Sequence, residues 1–128
     1  MISPDQARPD APLAAVTGAT GFIGRHVVTA LCNAGWRVRI LTRREPFIPD
    51  WCGLKFEAVP GAMHDEAARE RLVEGATAVI HAAGLIKAAR RRELLEVNCA
   101  ASATLAGIAQ RLAPQAHFVH VSTLAARE

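Results

Sequence analysis

Three glycines near the start of the chain constrain its fold more than any other feature. They stand at the spacing G-x-x-G-x-x-G within residues 16–24, directly after a short apolar run, and they open a stretch with helical periodicity. Glycine allows a turn with positive φ and a close approach to a pyrophosphate, and the N–H groups of the new helix face that anion. A strand, a glycine turn and a helix in this order predict a dinucleotide-binding unit.

Strand and helix patterns alternate along the chain without an internal repeat. The link 43–53 contains two prolines, and it predicts an irregular crossover. Five strands with helical crossovers predict an α/β fold, a doubly wound parallel Rossmann sheet in three αβα layers with strand order 3-2-1-4-5. The predicted strands are 13–17, 36–42, 54–59, 76–82 and 116–122, and the predicted helices are 22–33, 65–74 and 87–112.

The carboxyl end of the predicted domain leaves its last strand without a neighbouring strand or helix. Residues 1–12 are rich in proline and aspartate and predict a disordered lead, which leaves 13–128 for the Rossmann domain. Only six residues follow the fifth strand, so that strand would be an uncovered edge. We therefore expect an incomplete domain, truncated after strand 5, that forms a homodimer through the exposed edge.

Composition excludes several classes of protein. Hydrophobic residues make up 51% and charged residues 21% of the chain, which is typical of a soluble globular protein. No apolar run approaches the ~18 residues of a membrane helix, and the start of the chain lacks the apolar core of a signal peptide. Three widely spaced cysteines predict buried free thiols and a cytoplasmic protein.

The net charge of +3 raises the question of nucleic-acid binding. The basic run 90–92 is followed by acidic residues at helical spacing, which indicates a solvated helix face. Tyrosine is absent, and no aromatic residues interleave with the basic ones. The five histidines do not form a metal-ligand motif. The sequence therefore predicts neither a nucleic-acid partner nor a metal.

Residues 17–24 resemble a known family at every fixed position. The extended and atypical short-chain dehydrogenase/reductases, which include the epimerases and dehydratases, read T-G-x-x-G-F-I-G at their first turn. The resemblance implies an NAD(P)-binding domain of an oxidoreductase, with the turn holding the cofactor. The residues that it places at the cofactor are Gly18, Thr20, Gly21, Phe22, Ile23 and Gly24.

The end of the second strand bears on the type of cofactor. An acidic residue there selects NAD, whereas arginine accommodates the 2′-phosphate of NADP. This chain has Thr42, Arg43 and Arg44, and guanidinium groups pair with phosphate in a bidentate manner. The sequence thus favours NADP, with NAD as the alternative if the two arginines are merely solvated.

The family landmark after the third strand departs from its usual form. It reads G-D-L in the family, with the aspartate at the adenine edge, but Gly61-Ala62-Met63 here. Because Ala62 has no side-chain acceptor, the adenine amino group would lose one hydrogen bond. The nearby Asp65 is interpreted as a helix cap.

Two further segments match the family in part. Residues 81–84 resemble its H-x-A-(A/G) segment, which assigns Ala82, Ala83 and Gly84 to the cofactor. His81 is a base, a metal ligand or, as we favour, a packed strand histidine. Asn98 lies in a partial match to the V-N-x-x-G-T helix segment, so it is either a cofactor-site residue or a polar residue on a helix face.

The family resemblance implies only part of an enzyme. It places the substrate-polarising hydroxyl at Thr123, with Ser122 beside it. The Tyr-x-x-x-Lys pair of the family is missing, because the chain has no tyrosine. Two hypotheses follow: the NAD(P)-binding portion of an epimerase/dehydratase-like oxidoreductase that lacks its catalytic half, or a non-catalytic regulatory or structural nucleotide-binding module. The substrate stays unknown.

Overall fold

The computed structural model describes residues 9–83 and 99–121. Within them, five parallel strands form one sheet in the order β3-β2-β1-β4-β5, as the sequence predicts. A single 3-10 turn at Pro49–Trp51 interrupts the link between β2 and β3. The elements are β1 (Leu13–Thr17), α1 (Phe22–Asn33), β2 (Arg37–Thr42), β3 (Glu57–Pro60), α2 (Glu66–Val73), β4 (Ala78–His81), α3 (Ala101–Leu112) and β5 (His117–His120).

Both faces of the sheet are covered, which makes the central strand apolar throughout. All five residues of β1 are buried, and two neighbouring ones pack in different apolar clusters. Ala15 packs with the α2–α3 cluster, which includes Leu72 and Leu105, whereas Val16 packs with the α1 cluster, which includes Val28. A parallel strand buried on both faces needs such a continuous apolar run. The predicted three-layer Rossmann architecture is confirmed.

The predicted elements are confirmed, but several boundaries are not. β1 and α1 lie at the predicted residues, whereas β2, β3, β4 and β5 begin one to three residues later. At β3 the difference has a clear cause, because Leu54 N donates to Trp51 O at 2.9 Å in a turn before the strand begins. Of the predicted helix 87–112, α3 covers the carboxyl half, and the part from 87 to 98 lies outside the described residues.

The prediction of three buried thiols is wrong for two of them. Cys32 is buried in the α1 cluster, but Cys52 and Cys99 are exposed. Cys52 follows the 3-10 turn at the surface, whereas Cys32 lies on the inner face of α1. Spacing along the chain does not report which face of an element a thiol occupies. Within 9–83 and 99–121, none of the helices has the length and apolar character needed to cross a membrane.

Candidate nucleotide-binding site

The glycine turn between β1 and α1 is packed too closely for side chains. Gly18 has φ +66°, and a Cβ there would lie 2.5 Å from the carbonyl carbon of Ala82 and from the amide nitrogen of Ala83. A Cβ on Gly24 would overlap the carbonyl oxygen of Gly18. Gly21 N donates to that same oxygen at 3.1 Å and closes the turn. Gly18 and Gly24 are therefore required by the backbone itself, whereas a Cβ on Gly21 would lie 3.3 Å from the Gly18 carbonyl oxygen.

The amino end of α1 is left open. Its N-cap is Gly21, with extended φ and ψ of −75° and 176°, and no side chain accepts from the first turn. The first turn also lacks an acidic residue. Backbone N–H groups at a helix start carry a partial positive charge. An open, uncapped helix start beside a glycine turn is suited to holding a phosphate group.

A cleft of about 560 Å³ lies beside this turn. It forms at the carboxyl ends of four neighbouring strands, where ligands bind in open α/β sheets. Three chain segments and one further residue line it: 18–20 of the glycine turn, 41–48 of the link after β2, 61–63 after β3, and Ala83 after β4. Segments far apart in sequence thus meet at one site.

The end of β2 contributes charge to the cleft. Thr42 Oγ1 donates to the carbonyl oxygen of Arg44 at 2.5 Å and accepts from its N–H at 3.3 Å, which makes a tight turn. Arg43 and Arg44 line the cleft, and both are exposed. Glu45 lines the same cleft. The guanidinium groups are therefore placed to meet an anion, with one carboxylate nearby.

The end of β3 supplies an apolar wall. Ala62 and Met63 line the cleft, and Met63 also packs against the α2–α3 cluster. Asp65 Oδ1 accepts from Ala68 N at 3.1 Å at the start of α2. The interpretation of Asp65 as a helix cap is confirmed, and the wall presents no carboxylate at the position where the family has aspartate.

His81, at the end of β4, is buried at 1% exposure. Its Nδ1 lies 2.6 Å from Thr17 Oγ1, and Thr17 Oγ1 accepts from Ala83 N at 3.4 Å. Burial first, and the charge of His120 second, lower the pKa of His81 from 6.5 to about 4. Either the Thr17 hydroxyl or an Nδ1–H group can donate in this hydrogen bond, and with its lowered pKa the ring is neutral at pH 7. This favours the packed strand histidine over a base.

The other predicted site residues fall into three groups. Gly18, Thr20, Thr42 and Ala83 line the cleft with the arginines, and Ala82 lies against Gly18. Phe22 and Ile23 begin α1 and are 73% and 47% exposed, with the Arg25 guanidinium 5.7 Å from the Phe22 ring centre. The remaining predictions fall on residues outside the described part of the chain, namely Gly84, Asn98, Ser122 and Thr123.

Sequence reasoning missed the part of the link that runs past the arginines. Pro46, Phe47 and Ile48 all line the cleft. The sequence signal for this triplet was its position directly after the arginines. Its exposure could not be predicted, because it depends on how the link folds. In the described residues, no group of three or more His, Cys, Asp or Glu side chains is gathered that could hold a metal ion.

A glycine turn and an uncapped helix start lie at the point of the parallel sheet where the strand order reverses. This arrangement defines a dinucleotide-binding domain. The profile of the NAD dependent epimerase/dehydratase family matches residues 14–126. This chain belongs to that family.

Curated relatives support the same assignment. The chain is 47% identical over 114 residues to a ceramide reductase of Caulobacter vibrioides, covering 89% of this chain and 35% of the relative. It is 34% identical over 113 residues to sterol demethylase protein B of Methylococcus capsulatus, covering 87% and 34%. The chain thus spans about a third of the length of these two relatives.

Solved structures share the fold. A short-chain dehydrogenase/reductase superfamily protein from Agrobacterium tumefaciens, solved with bound NAD, has a TM-score of 0.70 and 30% identity over 87% of this chain and 32% of its own. UDP-glucose 4-epimerase from Bifidobacterium longum has a TM-score of 0.75 at 24% identity, covering 88% and 37%. The second similarity concerns the fold alone.

Proposed function

We propose that this chain is the NADP(H)-binding part of an epimerase/dehydratase-family oxidoreductase whose Tyr–Lys pair lies outside these 128 residues. The observation that carries the proposal is the glycine turn. Gly18 and Gly24 leave no room for a Cβ, and the adjoining start of α1 has no side-chain cap. Both features fit a pyrophosphate, and the cleft of about 560 Å³ beside them fits the adenosine half of the cofactor.

The preference for NADP rests on Arg43 and Arg44. Both guanidinium groups lie on the cleft wall, and within the described residues neither forms an ion pair with another side chain. Charge-assisted bidentate contacts are about twice as strong as neutral hydrogen bonds. Glu45 opposes a 2′-phosphate, but it contributes one negative charge against two positive ones. The A. tumefaciens relative was solved with NAD, which makes nucleotide preference the point to measure.

Calorimetry with NADPH and NADH tests this preference. We expect NADPH to bind about tenfold more tightly, since one charge-assisted contact contributes about 1.4 kcal/mol or more. The preference should shrink in Arg43→Ala and in Arg44→Ala, and also at high salt. Arg111→Ala, which removes the same charge from exposed α3, is the matched control and should leave it unchanged. Equal affinity for NADPH and NADH in the wild type contradicts the NADP assignment.

The names of the relatives guide the proposed substrate of the longer protein. One relative is called a ceramide reductase and the other a sterol demethylase protein, so both names refer to lipids. We propose that the longer protein reduces a lipid ketone to an alcohol, with Thr123 and Ser122 polarising the substrate oxygen. The bound cofactor would supply the hydride for this reduction.

An absorbance assay distinguishes this activity from the alternatives. We expect no NADPH oxidation by the 128-residue chain with a keto-ceramide, simple ketones or UDP-sugars, because the family's tyrosine acid is absent. A longer native form should oxidise NADPH with the oxo-lipid. A native protein of 128 residues that binds NADPH without turnover would instead support the non-catalytic module, and turnover by the 128-residue chain would contradict the assignment of Tyr–Lys chemistry to a missing part.

We further propose that the 128-residue chain is cytoplasmic and forms a homodimer through β5. The three cysteines are free, which suits a reducing compartment. β5 is at the edge of the described sheet, and Val119 is 48% exposed on it. Unpaired strand edges favour pairing with a second chain. Sedimentation equilibrium should detect a dimer that Val119→Lys weakens, and a monomer at high concentration contradicts the proposal.

A further inference from the structure

Phe47 is the most exposed of the large apolar side chains in the described part of the protein. It is 91% exposed, yet it lines the nucleotide cleft. Its neighbour Ile48 packs against the α1 cluster, so the link is anchored directly beside it. Phe47 itself belongs to neither apolar cluster. An aromatic ring held at the mouth of a cleft, without a described protein partner, is available to a ligand.

The link does not need Phe47 for its own packing. Trp51 fixes the link, since its ring is 5% exposed and its Nε1 donates to Arg25 O at 3.1 Å. Phe56 meets the Trp51 ring edge-on, with the ring centres 5.0 Å apart. These two aromatic residues complete the α1 cluster. The exposure of Phe47 is therefore not explained by a structural role in the link.

The segment after β3 forms another wall of the same cleft. The link and this segment leave adjacent parallel strands, since Thr42 is in register with Pro60. Met63 lines the cleft and is backed by the α2–α3 cluster, so its position is fixed from behind. Ala62 beside it offers only a methyl group. The cleft thus has apolar groups on segments from two neighbouring strands.

We propose that Phe47 stacks on the base of the bound nucleotide and that Met63 forms the opposite apolar wall. The inference rests on the proposed function, because it assigns the adenine end of that cofactor. Aromatic rings stack well on nucleobases, and thioethers make favourable contacts with aromatic rings. Stacking replaces the polar recognition that the Ala62 methyl group does not provide. Phe47 is in this sense a cofactor-binding residue of the link.

Substitution of Phe47 tests the stacking contact. Binding of ADP-ribose and of NADPH should weaken about tenfold in Phe47→Ala, because loss of one base–aromatic stack has an effect of this size. Phe47→Trp should retain wild-type affinity, whereas the affinity of Phe47→Leu should lie between those of Phe47→Ala and the wild type. Reduced nicotinamide mononucleotide lacks the adenosine half, and its affinity should be the same in all four proteins.

Cys52→Ala is the control, since Cys52 is exposed in the same link and does not line the cleft. Thermal unfolding of Phe47→Ala should match the wild type, because the ring is almost fully exposed. Unchanged ADP-ribose affinity in Phe47→Ala overturns the stacking contact and leaves the proposed function standing. Full recovery in Phe47→Leu overturns the aromatic part of the inference. Failure of the wild type to bind NADPH and NADH overturns the proposed function and this inference together.

Discussion

The two helices that begin beside the cleft have opposite kinds of amino end. α1 begins at Gly21, without a side-chain cap and without an acidic residue in its first turn. α2 begins at Asp65, whose carboxylate accepts from Ala68 N, and Glu66 follows in its first turn. Both starts follow a parallel strand, so the difference is one of local chemistry and not of topology.

This difference separates a helix start that is available to a ligand from one that is stabilised by the protein. A capping carboxylate satisfies an unpaired N–H group and complements the helix dipole, and a capped end gives stability in the absence of ligand. An uncapped end leaves those groups for an anion to satisfy. We infer that α2 serves the fold, whereas α1 gives up some stability for nucleotide binding. The following three substitutions test this comparison.

The largest effect is expected at Gly24, in the first turn of α1. A Cβ there would overlap the carbonyl oxygen of Gly18, which belongs to the backbone and cannot rotate away. We expect Gly24→Ala to weaken NADPH binding by about a hundredfold or more, as measured by calorimetry, and to lower the free energy of unfolding by about 1–3 kcal/mol.

Gly107→Ala in α3 is the control for the Gly24 experiment. A Cβ at this position would meet no atom within 4 Å, and alanine favours a helix over glycine by about 1 kcal/mol. This variant should bind NADPH normally and unfold at a slightly higher temperature. If Gly24→Ala binds NADPH as tightly as the wild type, the steric argument for the open end of α1 is wrong.

The second-largest effect is expected in the pH dependence of stability, and it involves the strand ends next to the open start of α1. Thr17 and His81 are joined across β1 and β4, and the buried ring has its pKa lowered from 6.5 to about 4. A lowered pKa in the folded state means that protonation favours unfolding. The contribution of the neutral His81 ring to the free energy of unfolding is complete above pH 6.5. It is lost as the pH falls from 6.5 towards 4, by up to about 3 kcal/mol.

Urea unfolding of the wild type and of His81→Gln between pH 7 and pH 4 measures this contribution. Glutamine can accept from or donate to the Thr17 hydroxyl but does not titrate, so the stability of this variant should fall less steeply with decreasing pH. His64→Gln, at an exposed position, should follow the wild type. Parallel curves for the wild type and His81→Gln would show that His81 does not carry the acid sensitivity.

The smallest effect is expected at the capped start of α2. Asp65→Ala removes the acceptor of the Ala68 N–H group and should lower the free energy of unfolding by about 1 kcal/mol. Asp65→Asn keeps the oxygen acceptor and should lose less. NADPH affinity should stay within about twofold in both variants. A large loss of NADPH affinity in Asp65→Ala would place this end of α2 in the binding site and break the comparison.

Local sequence signals predicted the framework well. The apolar run 13–17, the glycine triplet and the periodicity of 22–33 placed β1 and α1 at their observed bounds, because each signal acts between residues that are neighbours in the chain. The other four strands begin one to three residues later than predicted. At Leu54 a turn hydrogen bond to Trp51 delays β3, and this bond depends on how the link folds.

The sequence by itself determined the order of strands and helices, the glycine turn and the presence of two arginines at the end of β2. Tertiary structure decided which other residues join them. It brought Thr17 and His81, 64 positions apart, within 2.6 Å. It also buried Cys32, exposed Cys52 and placed Phe47 on the cleft with Met63. Such outcomes depend on packing between distant segments, and no local pattern of residue types encodes which side chain the packing leaves in solvent.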